Sequence, residues 1–340
     1  MTGAAIPFFT IVMPVLDEER HVRRALLSLL DQLGDLRTEI LVMDGGSCDG
    51  TLAIVGTLAA ANPVIRLIDN PARLQSAACN LAAHLASPES RVLLRADAHA
   101  GYPPGFVRTC LKALATTGAT SVVVPMRTVG SSATQRAIAA AQNSLLGNGG
   151  SSHRRAGNSR FVDHGHHAAF DLDFFRSLGG YDPTFTHNED AELDIRALQA
   201  GGRVWLCSDA AIDYYPRETL RQLGTQYVRH GRGRARTTVK HRLRLRLRQC
   251  LPIVILMAMP CALLAPCAPL MAVPAGLYLS ACLVWGLTEA VRQRDPALVA
   301  MGPAAIVMHI AWAIGFLDGR LTRTRTLPDE KSVMLAEARA

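Results

Sequence analysis

A chain of 340 residues exceeds one ordinary domain, so a folded unit of roughly 200 to 250 residues with an appendage is the expected arrangement. Its eight cysteines contain no C-x-x-C pair and several lie in apolar stretches, which argues against a disulfide framework or a zinc site. The net charge of +8 is concentrated in Arg229, Arg232, Arg234, Arg236, Lys240, Arg242, Arg244, Arg246 and Arg248, directly ahead of an uncharged stretch. Such a flank orients a membrane helix and attracts anionic lipid, so membrane placement accounts for the run better than nucleic acid does.

From the amino terminus, Met1 to Phe9 has no basic segment leading into a hydrophobic stretch. No cleaved signal is expected, and the residues up to about 240 should stay in the cytosol. The first half then alternates β-branched runs with helical patterns, the α/β signature of a parallel sheet wrapped by helices. Five strands are predicted: Phe8 to Val15, Glu39 to Met43, Val64 to Ile68, Arg91 to Leu94 and Ser121 to Pro125. Between them, helices are expected over Glu18 to Gln32, Thr51 to Ala61, Leu74 to Leu85 and Gly105 to Thr116.

In an open sheet the ligand sits beyond the carboxyl ends of the strands. Those ends are rich in acids: Leu16-Asp17-Glu18-Glu19 after strand one, Asp44-Gly45-Gly46-Ser47-Cys48-Asp49-Gly50-Thr51 at strand two, and Asp97-Ala98-His99 after strand four. Gly147 to Ser159 is a Gly, Ser, Asn and Arg loop, expected to be mobile over that edge. Asp163-His164-Gly165-His166-His167 and Gly179-Gly180-Tyr181-Asp182 follow, and after them come His187-Asn188-Glu189-Asp190, a helix to Gln199 and a strand at Arg203 to Cys207.

The appendage is read from two runs without Asp, Glu, Lys or Arg, Gln249 to Thr288 and Ala297 to Leu317. As one helix rising about 1.5 Å per residue, the first would far exceed a hydrocarbon core of about 30 Å. Pro266 and Pro269 near its middle point to a helical hairpin. The expected division is a catalytic domain over 1–228, a basic membrane-proximal segment over 229–250, two or three transmembrane helices within 251–317 and a tail over 318–340. Three crossings from the cytosol would put the tail outside, whereas Arg320, Arg323 and Arg325 favour keeping it inside.

Taken in order, Pro14 to Glu18, Asp44 to Thr51, Asp97, Gly179-Gly180 and Glu189-Asp190 resemble the motifs of the family 2 inverting glycosyltransferases. The resemblance implies a GT-A, Rossmann-like nucleotide-sugar-binding domain and a UDP-sugar donor. In it Asp44 matches the aspartate that contacts uracil, Pro14 and Glu18 match first-strand nucleotide contacts, and Asn80 matches a donor-side asparagine. Asp97 matches the second aspartate of the D-x-D metal site, but Arg95 occupies the first position. Asp97-Ala98-His99 then reads as a D-x-H variant in which Asp97 and His99 hold Mg²⁺ or Mn²⁺ against the diphosphate. Asp163, His164, His166 or His167 could add a metal ligand or contact the acceptor.

Asp190 is the expected general base, with Glu189 orienting the site, both at a helix start whose dipole favours ionised acids. Gln226-Tyr227-Val228-Arg229-His230 resembles the Q-x-x-R-W motif, with Gln226 and Arg229 toward the diphosphate; His230 stands in the tryptophan position, so processive transfer is not implied. The run His230-Gly231-Arg232-Gly233-Arg234-Ala235-Arg236 beside membrane segments, together with Asp163 to His167, is similar to the glucosyltransferases of succinoglycan-type exopolysaccharide assembly. That implies glucose added through a β-1,3 bond to a lipid-diphosphate-linked sugar on the cytoplasmic face of the inner (plasma) membrane. Arg95 at the metal position prompts the alternative of a non-catalytic membrane scaffold with the same fold. A nucleotidyltransferase would need a glycine-rich loop where the chain has Leu16-Asp17-Glu18-Glu19.

Overall fold

The computed structural model describes residues 6–149, 157–266 and 268–322. Most of the loop expected over Gly147 to Ser159, and the tail beyond 322 with Arg323 and Arg325, lie outside these residues.

In chain order the elements are β1 (Phe9–Val15), α1 (Val22–Leu30), β2 (Thr38–Asp44), α2 (Thr51–Ala61), β3 (Ile65–Asp69), α3 (Gln75–Leu85), β4 (Val92–Arg95), β5 (Ala100–Gly101), α4 (Phe106–Thr117), β6 (Ser121–Val124), β7 (Met126–Thr128), α5 (Ala133–Asn143) and α6 (Leu145–Asn148). There follow β8 (Arg160–Val162), β9 (His166–Asp171), α7 (Leu172–Ser177), α8 (Glu189–Gln199), β10 (Val204–Leu206), β11 (Ile212–Tyr214), α9 (Leu220–Lys240), α10 (Leu247–Cys261), α11 (Val273–Gln293) and α12 (Met301–Leu321). The five expected strands are β1, β2, β3, β4 and β6.

β1 and β2 are buried almost throughout because both faces of the sheet are covered. Phe9, Ile11, Met13 and Val15 pack with Val22 and Leu26 of α1 and Phe106 of α4. Val12 turns the other way, toward Ala78 of α3, Phe175 of α7 and Leu193 of α8. The result is three layers around a sheet ordered β3-β2-β1-β4-β9-β6-β10-β8.

The sheet departs from the all-parallel expectation. β9 runs antiparallel between β4 and β6, and β8 is antiparallel to β10 at the edge. Register then sets the functional edge: Val15 of β1 pairs with Asp44, and Val12 pairs with Arg95, so Asp44 and Asp97 leave the sheet on either side of Pro14. β5, β7 and β11 form a small second sheet beside that edge.

α9 is one continuous helix across the expected 228/229 boundary, opened by a capping box of Thr219 and Gln222. It lies against α12 through small residues. A Cβ added at Gly315 would stand 2.0 Å from the Val228 carbonyl oxygen, and one at Gly231 would stand 2.2 Å from that of Trp312. A third core joins Ile138 and Ala141 of α5, Leu223 of α9 and Ala304, Ala305 and Met308 of α12.

Among the described residues three helical stretches, Leu247–Leu264, Pro269–Gln293 and Pro296–Leu321, are long and apolar enough to span a membrane. The first two leave their apolar surface open, with 6% and 17% of their windows buried, whereas 44% of the third is buried against protein. The helical run breaks between α10 and α11, in the region of Pro266 and Pro269.

Candidate active site

The loops after β1 and β2 are stitched together. The Glu18 amide donates to Thr51 Oγ1 at 2.8 Å, the Cys48 amide to Asp17 Oδ1 at 2.8 Å, and the Gly50 amide to the Glu19 carboxylate at 2.9 Å. Asp44 is buried and accepts from the Gly46 amide at 2.8 Å and the Ser47 hydroxyl at 2.6 Å, so its carboxylate shapes its own turn. Gly46 sits at φ +83°, a conformation that favours glycine. Pro14 stands half-buried on β1 beside it.

Arg95 organises the next strand end. Its side chain is 4% exposed, yet its guanidinium donates from Nη1 to Asp190 Oδ1 at 2.6 Å and to the Tyr181 hydroxyl at 3.0 Å, and from Nε to Asp97 Oδ1 at 3.3 Å. A buried cation between two carboxylates is compensated in this way, and the pairing raises its already high proton affinity further. Asp97 Oδ1 also accepts from Gln75 at 2.7 Å. Burial alone would raise the Asp97 carboxyl; the Arg95 guanidinium, ahead of the neighbouring imidazoles, holds it below the usual carboxylate range.

His99, two residues on, bonds through Nδ1 to Glu18 Oε1 at 2.9 Å. That carboxylate and Asp97 overcome burial to raise the imidazole above its ordinary value. Among the described residues no group of three His, Cys, Asp or Glu is disposed to hold a metal ion. Of the four candidates for a further ligand, only His166 stands at Asp97, with Nε2 3.4 Å from Oδ2. His164 bonds Asp194, His167 is enclosed between Asp194 and the Tyr181 hydroxyl, and Asp163 pairs with Arg246.

β9 carries the histidines inward. His167 Nε2 meets Asp194 Oδ1 at 2.8 Å, and its Nδ1 lies 3.3 Å from Asp190 Oδ1. Burial would lower this imidazole, but the two carboxylates push it up to about 9. His166 lies between Asp97 and Asp190, and burial brings it down to about 4, which leaves it neutral.

Asn188, at φ +68°, opens α8 and donates to Thr237 Oγ1 of α9 at 2.6 Å, which anchors the start of the helix. Glu189 and Asp190 follow in its first turn with opposite proton affinities. Burial would raise Asp190, but Arg95 and His167 overcome it and hold the carboxyl well below the usual range. Glu189 is pushed up to about 7 by burial and by the Asp190 charge.

Asn80 lies behind this network. Its amide clamps the Tyr181 backbone from both sides, donating to the carbonyl at 2.8 Å and accepting from the N–H at 2.8 Å. Gly180 has to be glycine here: its φ is +69°, and a Cβ would stand 2.2 Å from Asn80 Oδ1.

Gln226 and Arg229 line a separate open cavity of about 560 Å³, shared with His187, Arg217, Arg221 and Gln222. Gln226 donates to the Tyr214 hydroxyl at 2.9 Å, and its Oε1 is buried with no hydrogen-bond partner among the described residues. Burial and the charges of Arg229 and Arg217 drive His187 down to about 4, which marks a strongly positive cavity. Tyr214, the partner of Gln226, stands edge-on to His99 with ring centroids 6.2 Å apart, so the cavity adjoins the acidic edge. Sequence reading missed Arg217, Arg221, Tyr181 and Asp194; Tyr181 alone had a signal, its place in the Gly179-Gly180-Tyr181-Asp182 motif.

In sequence and in fold the chain resembles known proteins. The family model for glycosyl transferase family 2 matches residues 10–179. The chain is 44% identical over 306 residues to the succinoglycan biosynthesis protein ExoA of Rhizobium meliloti (strain 1021), covering 90% of this chain and 93% of that protein. Among solved structures it resembles the mannosyltransferase PcManGT from Pyrobaculum calidifontis in complex with GDP-Man and Mn²⁺, with a TM-score of 0.58 at 18% identity over 92% of this chain and 87% of that one. It also resembles GalNAc-T7 with UDP, GalNAc and Mn²⁺, with a TM-score of 0.51 at 15% identity over 67% of this chain and 48% of that one. The protein, a GT-A-like α/β domain followed by three apolar helices, belongs to glycosyl transferase family 2.

Proposed function

We propose that this glycosyltransferase moves a sugar, glucose by its likeness to the succinoglycan enzymes, from a UDP-sugar to a lipid-diphosphate-linked saccharide during exopolysaccharide assembly on the cytoplasmic side of the inner membrane. The observation that carries the reading is an acidic edge, Asp97, Glu189 and Asp190 around Arg95, adjoining an arginine cavity ahead of the apolar helices. Asp44, Pro14 and Glu18 would receive the nucleoside, and Arg229, Arg217 and Gln226 the diphosphate. Asn80 would act at a distance, by fixing Tyr181 and through it Arg95.

The acceptor hydroxyl attacks the anomeric carbon from the face opposite the nucleotide. The bond to the diphosphate oxygen breaks, UDP leaves with the electron pair, and the hydroxyl proton passes to a carboxylate. Asp190 is the proposed acceptor of that proton. A second reading gives the role to Glu189, favoured by its raised proton affinity and by the engagement of Asp190 with Arg95. Asp97 and His99 would supply two protein donors to a Mg²⁺ or Mn²⁺ ion; among the described residues no third His, Cys, Asp or Glu completes a metal group. Bound there, the ion would neutralise charge on the departing UDP. Against the scaffold alternative stands the likeness to glycosyl transferase family 2 and to ExoA.

The test is transfer by the purified full chain in detergent with a panel of nucleotide sugars and lipid-linked acceptors. Acceptor-dependent UDP release is expected; release from other nucleotide sugars only, or no UDP binding with either cation, overturns the reading.

Membrane placement follows from α12. α9 bears Arg229, Arg232, Arg234 and Arg236 and cannot enter hydrocarbon, and α12 follows it through the glycine contacts above. We infer that α10 and α11 cross as a hairpin while α12 lies along the cytoplasmic surface, its stripe of Ile306, Ile310 and Ile314 toward lipid. The end of α12, with Arg320, then stays on the cytoplasmic side, in accord with its charge. Green fluorescent protein fused after Leu321 should fluoresce, and an active alkaline phosphatase fusion at that point would refute the arrangement.

A further inference from the structure

A second concentration of positive charge lies where α9 meets the start of α10, away from the cavity of Arg217, Arg221 and Arg229. Arg234 sits half-buried on α9, and its Nε is enclosed with no hydrogen-bond partner among the described residues. Burial and the like charges of Arg246 and Arg248 lower its hold on the proton, and no carboxylate among the described residues acts on it. Asp163, on the turn between β8 and β9, is taken by Arg246. Arg248 leans on Gly149 at the end of α6, with Nη1 3.4 Å from its carbonyl oxygen.

A half-buried guanidinium with an unpaired donor among like charges is unfavourable by itself and favourable once an anion bridges the group. Planar N–H forks match phosphate oxygens, and these arginines stand at the mouth of the first apolar helix, which begins at Leu247. That is the depth at which lipid phosphates lie. We propose that Arg234, Arg246 and Arg248 form a binding site for the phosphate of a membrane lipid, distinct from the nucleotide-sugar cavity. The assignment rests on the reading that α10 enters the bilayer. Two lipids present this chemistry there, a bilayer phospholipid and the lipid-diphosphate acceptor itself. In the second case the site would hold the acceptor's phosphate near His164 and His166, three residues or fewer along the chain from Asp163, with its sugar toward Asp190.

The test measures the melting temperature of the full chain in non-ionic detergent with phosphatidylglycerol, farnesyl diphosphate, inorganic phosphate or diacylglycerol as the uncharged control. At a hundredfold excess over Kd, a lipid phosphate should raise it by about 5 °C. Arg234→Gln and the more exposed Arg248→Gln should lose that rise, and Arg234→Gln without lipid should melt no lower than wild type, since an unpartnered charge has been removed. A rise with phosphatidylglycerol identifies a phospholipid headgroup, and one with farnesyl diphosphate alone identifies the acceptor's phosphate; both support the site. The proposal is overturned if neither lipid exceeds diacylglycerol, if both variants keep the rise, or if inorganic phosphate alone supplies all of it. No donor sugar enters the assay, so lipid binding without sugar transfer would count against the proposed function and not against this site.

Discussion

Asp190→Asn is expected to lower sugar transfer by about 10³-fold while UDP binding is kept, because the amide cannot take the acceptor proton. Glu189→Gln should then cost far less. The pH dependence separates the two carboxylates independently. Arg95 and His167 hold the Asp190 carboxyl well below the usual range, so an Asp190-dependent rate stays level as pH falls from 8 through about 5. Glu189 is pushed up to about 7, so a Glu189-dependent rate falls as pH drops through that value and its carboxylate protonates. A flat profile with a silent Glu189→Gln supports Asp190; an acid limb near neutral pH with an inactive Glu189→Gln moves the role to Glu189. Wild-type transfer by Asp190→Asn would remove Asp190 from the chemistry.

The parts of this site legible from sequence are those set by short-range geometry. A carboxylate directly after an apolar β-branched run must emerge at the sheet edge, so Asp44 and Asp97 could be found, and Asn188-Glu189-Asp190 could be read as a helix start. β9 was not legible. Its residues, His166 to Phe170, are buried or nearly so on both faces and do not alternate, and its partners β4 and β6 come from distant segments. Without β9 the histidines had no address, and a pairing of His167 with Asp194, 27 residues away, has no local signature. Arg95 shows the same limit. Sequence reading could say only that no metal ligand stood there, because the carboxylate that gives it a role is 95 residues downstream. Nor does hydropathy separate α12 from α10 and α11. The difference lies in Gly231 and Gly315, which let two backbones approach, and that depends on which helix comes to lie alongside.

The other large effect is expected at Arg95 itself. Arg95→Gln leaves Asp97 and Asp190 buried without their shared cation, and breaking a buried pair by removing one partner costs about 3–5 kcal/mol. For a domain of this size the melting temperature should fall by about 10 °C. Transfer should fall with it, since Asp190 loses the partner that keeps it ionised and in place. The sign follows from the charge: without the guanidinium both carboxyls bind protons more readily, so whatever transfer remains should fail at a higher pH than in wild type. Arg95→Lys keeps a charge but not the fork that reaches Asp97, Asp190 and Tyr181 together, and should recover part of the stability and little of the rate. Arg95→Asp is the sharper case. It writes the D-x-D pattern back into the strand end and sets three carboxylates against one another, so the variant should be strongly destabilised in chelator and regain stability with Mn²⁺. If Arg95→Gln melted with wild type, Arg95 would not be the counter-charge of the two acids; if Arg95→Asp ignored the cation, the strand end would not be where a metal belongs.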